Sequence, residues 1–273
     1  MNNLHRELAP ISDEAWSQIE EEAARTFKRH LAGRRVVDVE GPGGFGSSAV
    51  GTGRVRAIDP PGEGVRARQR EVAPLVELRA AFTLDRGEID DVARGAMDAD
   101  WQPVKDAARQ IAFAEDGAIF EGYAAAGIEG IRQGSSNPPV ILPADAKDYP
   151  AVIAGAIAEL RAAGVDGPYT AVLSPDVYTA LSQASSHGYP VIQHVRRLLD
   201  GEIVWAPAIS GAIVLSMRGG DFSLHLGQDL AIGYLSHTDT EVTLYLQESM
   251  TFQLLAGEAA VVLAASRASA RTA

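Results

Sequence analysis

Arg218–Phe252 reads RGGDFSLHLGQDLAIGYLSHTDTEVTLYLQESMTF. Phe222, Leu224 and Leu226 alternate with Ser223, His225 and Gly227. Leu230, Ile232 and Tyr234 alternate with Ala231 and Gly233, and Val242, Leu244 and Leu246 with Thr243, Tyr245 and Gln247. A period of two turns one side of each run toward a core and the other toward solvent, so the stretch predicts three consecutive strands. Gly227-Gln228-Asp229 and His237-Thr238-Asp239-Thr240 supply turn chemistry between them. No catalytic constellation falls in the stretch, which directs attention to binding and assembly.

The chain has 273 residues, enough for a sizeable core in one large domain or two. It is 46% hydrophobic and 22% charged, an ordinary globular balance. A net charge of −12 argues against a nucleic-acid partner, because phosphate binding needs clustered Lys and Arg. With no cysteine, disulfides and thiolate metal sites are excluded. No apolar run approaches a membrane span, so no membrane partner is expected. The opening MNNLHRELAP has no apolar signal core, so classical secretion is not expected.

Outward from the closing strands, Asp13–Leu31 predicts a helix with Ser12 as N-cap, and Gly33 is available to close it. Its apolar stripe is Trp16, Ile19, Ala23, Phe27 and Leu31. Arg35–Val39 predicts a strand. A Gly-, Pro- and Arg-rich excursion follows over Gly41–Ala73, with strand signals at Val55–Ile58 and Val65–Arg68. So long an excursion with so little apolar content points to support from outside the chain, a neighbouring subunit being the simplest candidate. Leu75–Leu84 reads as a strand. Trp101–Gly122 reads as a long helix with Trp101, Val104, Ala108, Ile111, Glu115 and Ile119 on one face. Beyond Asn137-Pro138-Pro139, helices at Ala151–Ala163, from Ser174-Pro175-Asp176 and at Val191–Leu199, with strands at Tyr169–Leu173 and Ile203–Ala206, predict an α+β lobe.

Gly41-Pro42-Gly43-Gly44-Phe45-Gly46 fits G-x-G-x-x-G, but Ser47–Gly53 has two more glycines and no helical stripe to meet a pyrophosphate. The run therefore reads as a loop. None of the six histidines falls in H-x-x-x-H or H-E-x-x-H, so no metal and no cofactor is expected. Acidic clusters at Glu20-Glu21-Glu22, Asp90-Asp91 and Asp98–Asp100 read as solvated faces. There is no G-x-S-x-G and no Cys nucleophile, and no catalytic residue is assigned.

Several collinear blocks carry a resemblance. They are LAPISDEAWSQIEEEAARTFKRHLAGRRVVDVEGP (Leu8–Pro42), PLVELRAAFTLDRGEIDDVARG (Pro74–Gly95) and FAEDGAIFEGYAAAGIEGI (Phe113–Ile131). Further along stand GVDGPYTAVLS (Gly164–Ser174), HGYPV (His187–Val191), WAPAI (Trp205–Ile209) and the closing strands. Over essentially its whole length the chain resembles family 1 encapsulins, actinobacterial members labelled as linocin-type bacteriocins among them. The resemblance implies an α+β tailed-bacteriophage major capsid protein fold (Hong Kong 97 phage-like), with peripheral domain, extended loop and axial domain. The implied division is 1–46 for the N-terminal helix and start of the peripheral domain, 47–73 for the loop, and 74–131 for the peripheral domain with its spine helix. The axial domain then takes 132–221, the closing peripheral strands 222–266, and a disordered tail 267–273.

The same resemblance implies a shell protein, not an enzyme, that self-assembles into an icosahedral cage, with a chain length suited to the smallest one of sixty copies. It implies a cytoplasmic nanocompartment whose cargo enzyme, a dye-decolourising peroxidase or a ferritin-like protein, docks through a C-terminal peptide. The positions matching the docking site are Phe27, Leu31, Arg34, Asp38, Asp229, Leu230, Ile232 and Tyr234. Those matching a five-fold pore are Ser186, His187, Gly188 and Tyr189, with His187 able to titrate near neutrality. A phage capsid protein and a bacteriocin- or protease-like factor are the competing readings. Acidity and the lack of a long N-terminal scaffolding segment speak against genome packaging.

Overall fold

The structure, a computed structural model, describes residues 3–265. The tail expected over 267–273 lies outside the described residues. Helix α1 spans Asp13–His30, with the Ser12 hydroxyl accepting from the Ala15 amide and Leu31 as C-cap. Gly33 does not close the helix in a left-handed conformation. It enters a short turn, Gly33–Arg35, pressed so closely on the long helix that a Cβ would lie 2.5 Å from Ile119 Cδ1. Strand β1 (Asp38–Glu40) is shorter and later than the predicted Arg35–Val39, because that turn occupies the first residues.

The excursion is a two-stranded ribbon of β2 (Ala49–Ile58) and β3 (Ala67–Pro74), antiparallel and paired with no other strand. β4 (Val76–Asp85) leads into α2 (Arg86–Ala93), a helix absent from the sequence expectations, whose N-cap Asp85 accepts from Gly87 N. α3 (Gln102–Phe120) is the long helix, and α4 (Ile131–Gly134) is a single turn.

The middle of the chain holds β5 (Val140–Ile141), α5 (Tyr149–Ala162), β6 (Tyr169–Leu173) and α6 (Pro175–Gln183). β7 (Ser185–Ser186) and β8 (Tyr189–Pro190) make a miniature hairpin before α7 (Val191–Leu198). β9 (Ile203–Trp205) and β10 (Ala212–Ser216) follow. The chain closes with β11 (Phe222–Leu226), β12 (Ala231–His237), β13 (Glu241–Leu254) and β14 (Ala260–Ala264).

The closing stretch is not three equal strands. β13 runs fourteen residues, and both β11 and β12 are antiparallel to it, meeting its two successive halves. Phe222–Leu226 pair with Leu254–Met250, and Ala231–His237 with Gln247–Val242. The break between them, Gly227–Leu230, is tied down by Ser249, whose hydroxyl accepts from Gln228 N at 2.8 Å and whose carbonyl accepts from Gly227 N at 2.7 Å. β4 pairs with β13 from Glu241 to Met250, and β1 adds to β11 in parallel.

A second sheet has the order β5-β14-β10-β6-β9. β14 pairs there with β10 and β5, so the span expected for the closing peripheral strands, 222–266, divides between the two sheets. Two cores result. One holds Ile19, Ala23 and Phe27 of α1, Val104, Ala108 and Ile111 of α3, and Leu244 and Leu246 of β13. The other joins α5, α7 and the second sheet to Ile119 and Phe120 of α3 and Met250 and Phe252 of β13. α3 and β13 therefore each cross from one core to the other. Among the described residues, no helix is long and apolar enough to cross a membrane.

Leu244 is fully buried between β13 and α3, and truncation leaves a cavity. Leu244→Ala is expected to cost about 2–5 kcal/mol and to lower the thermal unfolding midpoint by several degrees. Val55→Ser on the exposed ribbon should leave the far-ultraviolet circular dichroism of the subunit unchanged.

Candidate functional site

A cleft with a cavity volume of about 650 Å³ opens between the C-terminal end of α1 and the break between β11 and β12. α1 contributes Ala24, Phe27, Lys28 and Leu31, the following turn Arg34 and Arg35, and the break Asp229 and Leu230. Helical spacing places 24, 27, 28 and 31 on one face, so the stripe that packs into the core also edges the cleft. Phe27 and Leu31 are nearly buried, at 5% and 7% exposure, and Leu230 is half-buried. The result is an apolar trough with cations at its rim. Lys28 is exposed and has no ion pair or hydrogen bond among the described residues.

Arg34 forms the floor at one end. Its Nε donates to Glu115 Oε1 at 2.8 Å and its Nη2 to Glu115 Oε2 at 2.6 Å. Nη2 also reaches Glu248 Oε2 at 3.1 Å, and Nη1 reaches Asp229 Oδ1 at 2.8 Å. The guanidinium lies 5.0 Å from the Phe27 ring centroid, a cation–π contact. Burial disfavours its charge, but hydrogen bonding and attraction to Glu115, then Asp229, outweigh that and raise its pKa.

Beneath the cleft lies a dense set of acids: Glu115, Asp116 and Glu248 all have 0% exposure. Burial raises the Glu248 carboxyl well above its usual range, and neighbouring Glu115 adds to the rise while Arg34 opposes it. Burial likewise raises Asp116 to about 7, against the pull of two backbone amides. Those amides are Ala32 N, which donates to Oδ2 at 2.9 Å, and Gly33 N, which donates to Oδ1 at 2.8 Å. Asp116 thus holds the turn that carries Leu31 and Arg34 to the cleft.

Of the eight positions expected at a docking site, five line this cleft: Phe27, Leu31, Arg34, Asp229 and Leu230. Asp38 stands apart on β1, where its carboxylate accepts from Gly220 N at 2.6 Å. Ile232 is buried in the core with α1 and α3. Tyr234 is half-buried near the N-terminal segment, its amide donating to Leu4 O at 2.8 Å and its hydroxyl bonded to His237 Nδ1 at 2.6 Å. Sequence reasoning assigned no role here to Lys28, Glu115, Asp116 and Glu248. A signal existed, since Glu115 lies on the otherwise apolar stripe of α3. Glu248 occupies the inward register of Val242, Leu244, Leu246, Met250 and Phe252.

Ser186, His187, Gly188 and Tyr189 form the tip of the β7–β8 hairpin. His187 (φ 51°) and Gly188 (φ 79°) are both left-handed, as a two-residue primed turn requires. Ser186 Oγ lies 3.2 Å from His187 Nδ1, and the Tyr189 ring stacks on His194 with centroids 4.9 Å apart. The glycine run 41–46 leads into β2 and no helix, and Gly43 N and Gly44 N donate to Leu226 O and Gly227 O. It is a loop fastened to the closing sheet. No group of three His, Cys, Asp or Glu able to hold a metal occurs among the described residues.

An α+β body with two cores, and a two-stranded ribbon that pairs with no other strand among the described residues, has the fold of capsid proteins. Solved structures share the fold. A virus-like particle from Pyrococcus furiosus superposes with TM-score 0.64 at 16% identity, covering 92% of this chain and 99% of that one. The capsid protein of an empty GTA particle gives 0.53 at 14% identity, covering 86% of this chain and 96% of that one. Residues 1–251 match the family Linocin_M18, described as "Encapsulating protein for peroxidase". A type 1 encapsulin shell protein of Rhodococcus erythropolis is 62% identical over 264 residues, covering 97% of this chain and all of that protein. One from Mycobacterium tuberculosis is 60% identical over 263 residues, covering 96% and 99%. The chain belongs to the encapsulin shell protein family.

Because Asp116 binds its proton more tightly folded (about 7) than in an ordinary setting (3.8), its contribution to stability is full below the lower value. It is lost as pH rises through the higher one. Wild-type thermal midpoints should therefore fall relative to those of Asp116→Asn between these two pH values. Parallel profiles would show that Asp116 does not titrate there.

Proposed function

We propose that the chain is the subunit of a closed icosahedral shell, of about sixty copies, that encloses an enzyme and performs no chemistry itself. The observation that carries the assembly half is the β2–β3 ribbon. It exposes Val55, Ile58 and Val72, with Val65 in the turn between its strands, and pairs with no other strand among the described residues. An isolated two-stranded ribbon is marginal in water, so a second copy of the chain is its natural support. A net charge of −12 suits a cage filled with protein rather than one packed with nucleic acid.

The docking half rests on the cleft. A C-terminal tail from the cargo would bury an aliphatic side chain against Phe27, Leu31 and Leu230, with Lys28 and Arg34 fixing its polar groups. The family description favours a peroxidase as that cargo. A ferritin-like protein would be recognised by the same chemistry if its tail were similar. The β7–β8 tip, with Ser186, His187, Gly188 and Tyr189, is read as the rim of a pore for ions and small substrates. The compartment is read as cytoplasmic.

Purified full-length chain should run as a megadalton particle and appear as uniform hollow spheres by electron microscopy. A monomer or dimer at micromolar concentration would sink the reading. Val55→Asp with Val72→Asp on the ribbon should block assembly while leaving secondary structure intact. Leu230→Asp should leave the cage whole but weaken capture of a tail-bearing peroxidase roughly 10- to 100-fold, the equivalent of one buried aliphatic side chain. Equal cargo loading in both shells would remove the cleft from the proposal.

A further inference from the structure

The acids under the cleft hold an atom that the proposed function leaves idle. Glu248 Oε1 is buried and meets no donor among the described residues. Its sister oxygen converges with Glu115 Oε2 on one nitrogen, Arg34 Nη2, at 3.1 and 2.6 Å. Two carboxyl groups that share a donor in a site without exposure stand close enough to share a proton.

The charges around Glu248 can be taken element by element. α3 presents Glu115 and, next to it, Asp116. The turn after α1 presents Arg34, the strand break presents Asp229, and α1 presents Lys28 at the cleft rim. On β4 the residue opposite Glu248 is the apolar Leu78. Glu77 and Arg79 stand opposite Ser249 and Gln247, on the other face of the sheet. Among the described residues Arg34 is thus the one cation bonded to Glu248, and it is already bonded to Glu115 through Nε and Nη2 and to Asp229 through Nη1. With Glu115 and Glu248 both ionised, the floor carries an uncompensated buried negative charge. With a proton on Glu248, the Arg34–Glu115 pair is neutral, and the second carboxyl becomes a donor to the first.

We propose that Glu248 is a positioning residue that carries a proton under the cleft, and that losing this proton switches off docking of a cargo tail bearing a carboxylate. The inference rests on the reading of the cleft as the cargo site. Protonated, Glu248 leaves Lys28, Arg34 and Arg35, set against Asp229, as the charges a tail carboxylate meets in the cleft. Deprotonated, it adds a negative charge behind Arg34, draws the guanidinium inward and repels the tail. The raised pKa of Glu248, from burial first and Glu115 second, agrees with this geometry.

The test uses cargo-free shells of the full chain and a fluorescent peptide copying the C-terminal segment of a peroxidase that a family member encloses. Its affinity is measured from acid to alkaline pH, wherever the shells stay assembled, on wild type and Glu248→Gln, which keeps the shape of the protonated acid. Every other titrating group is common to both, so the difference isolates Glu248. The expected result is a loss of about tenfold or more in wild-type affinity as pH rises, with Glu248→Gln losing that dependence. Infrared spectra of wild-type shells should show the carbonyl stretch of a buried protonated acid, fading over the same pH range in which affinity falls. A flat wild-type profile, a Glu248→Gln profile that tracks wild type, or absence of that band each overturns the inference with the cleft reading intact. Should Glu248→Gln fail to assemble, the wild-type profile and the infrared band decide. A peptide that binds neither shell at any pH, and is equally indifferent to Leu230→Asp, overturns the cleft reading and the inference with it.

Discussion

One guanidinium holds the join between two cores. Arg34 enters where α3 and β13 pass from the core of the N-terminal helix to the core of the second sheet, and it bonds Glu115 of the one and Glu248 of the other. Packed hydrocarbon alone would let the two halves slide or separate, because dispersion contacts have no direction. A charged pair with fixed hydrogen-bond geometry has direction, and removing one partner from a buried pair costs about 3–5 kcal/mol. The join is therefore fixed by direction as well as by packing.

The cleft follows from the same arrangement. Asp116 grips the Ala32 and Gly33 amides and stops α1, which turns Arg34 downward and leaves Phe27 and Leu31 along the rim. On the opposite wall, Ser249 fixes the break between β11 and β12, and this brings Asp229 and Leu230 out of the sheet. Each wall is formed by an interruption of regular structure that has its own hydrogen-bonded cause. A trough set by such interruptions is pre-organised, so a peptide entering it would not need to order the walls.

Much of this was legible in the residues, and the gaps have physical reasons. Period-two and helical spacing located α1, α3, β4, β6, α7 and the closing strands to within a few residues. Strand pairing is non-local, so no alternation pattern could tell that β11 and β12 share β13, or that β14 leaves the first sheet for the second. Asp38 and Ile232 were placed with the docking positions by family resemblance, and the structure seats one at the Gly220 turn and the other in the core. α2 is short and half polar, and a two-turn helix leaves little periodicity to read. Glu115 and Glu248 were visible as acids in apolar registers, yet a single acid in a stripe does not announce its partner. Only the fold brings Arg34, eighty-one residues from Glu115 and 214 from Glu248, to both.

The late position of β14 has a consequence for synthesis. β14 sits between β5 and β10, so the second sheet cannot be completed until residues 260–264 have been made. The ribbon at 49–74 emerges from the ribosome far earlier, with Val55, Val65 and Val72 on its surface. For most of its synthesis the nascent chain thus exposes the ribbon before it has a finished body. Strand edges and apolar side chains left open on an incomplete chain are the surfaces by which chains mispair, so the order of the strands puts the exposed ribbon at risk before the body can fold.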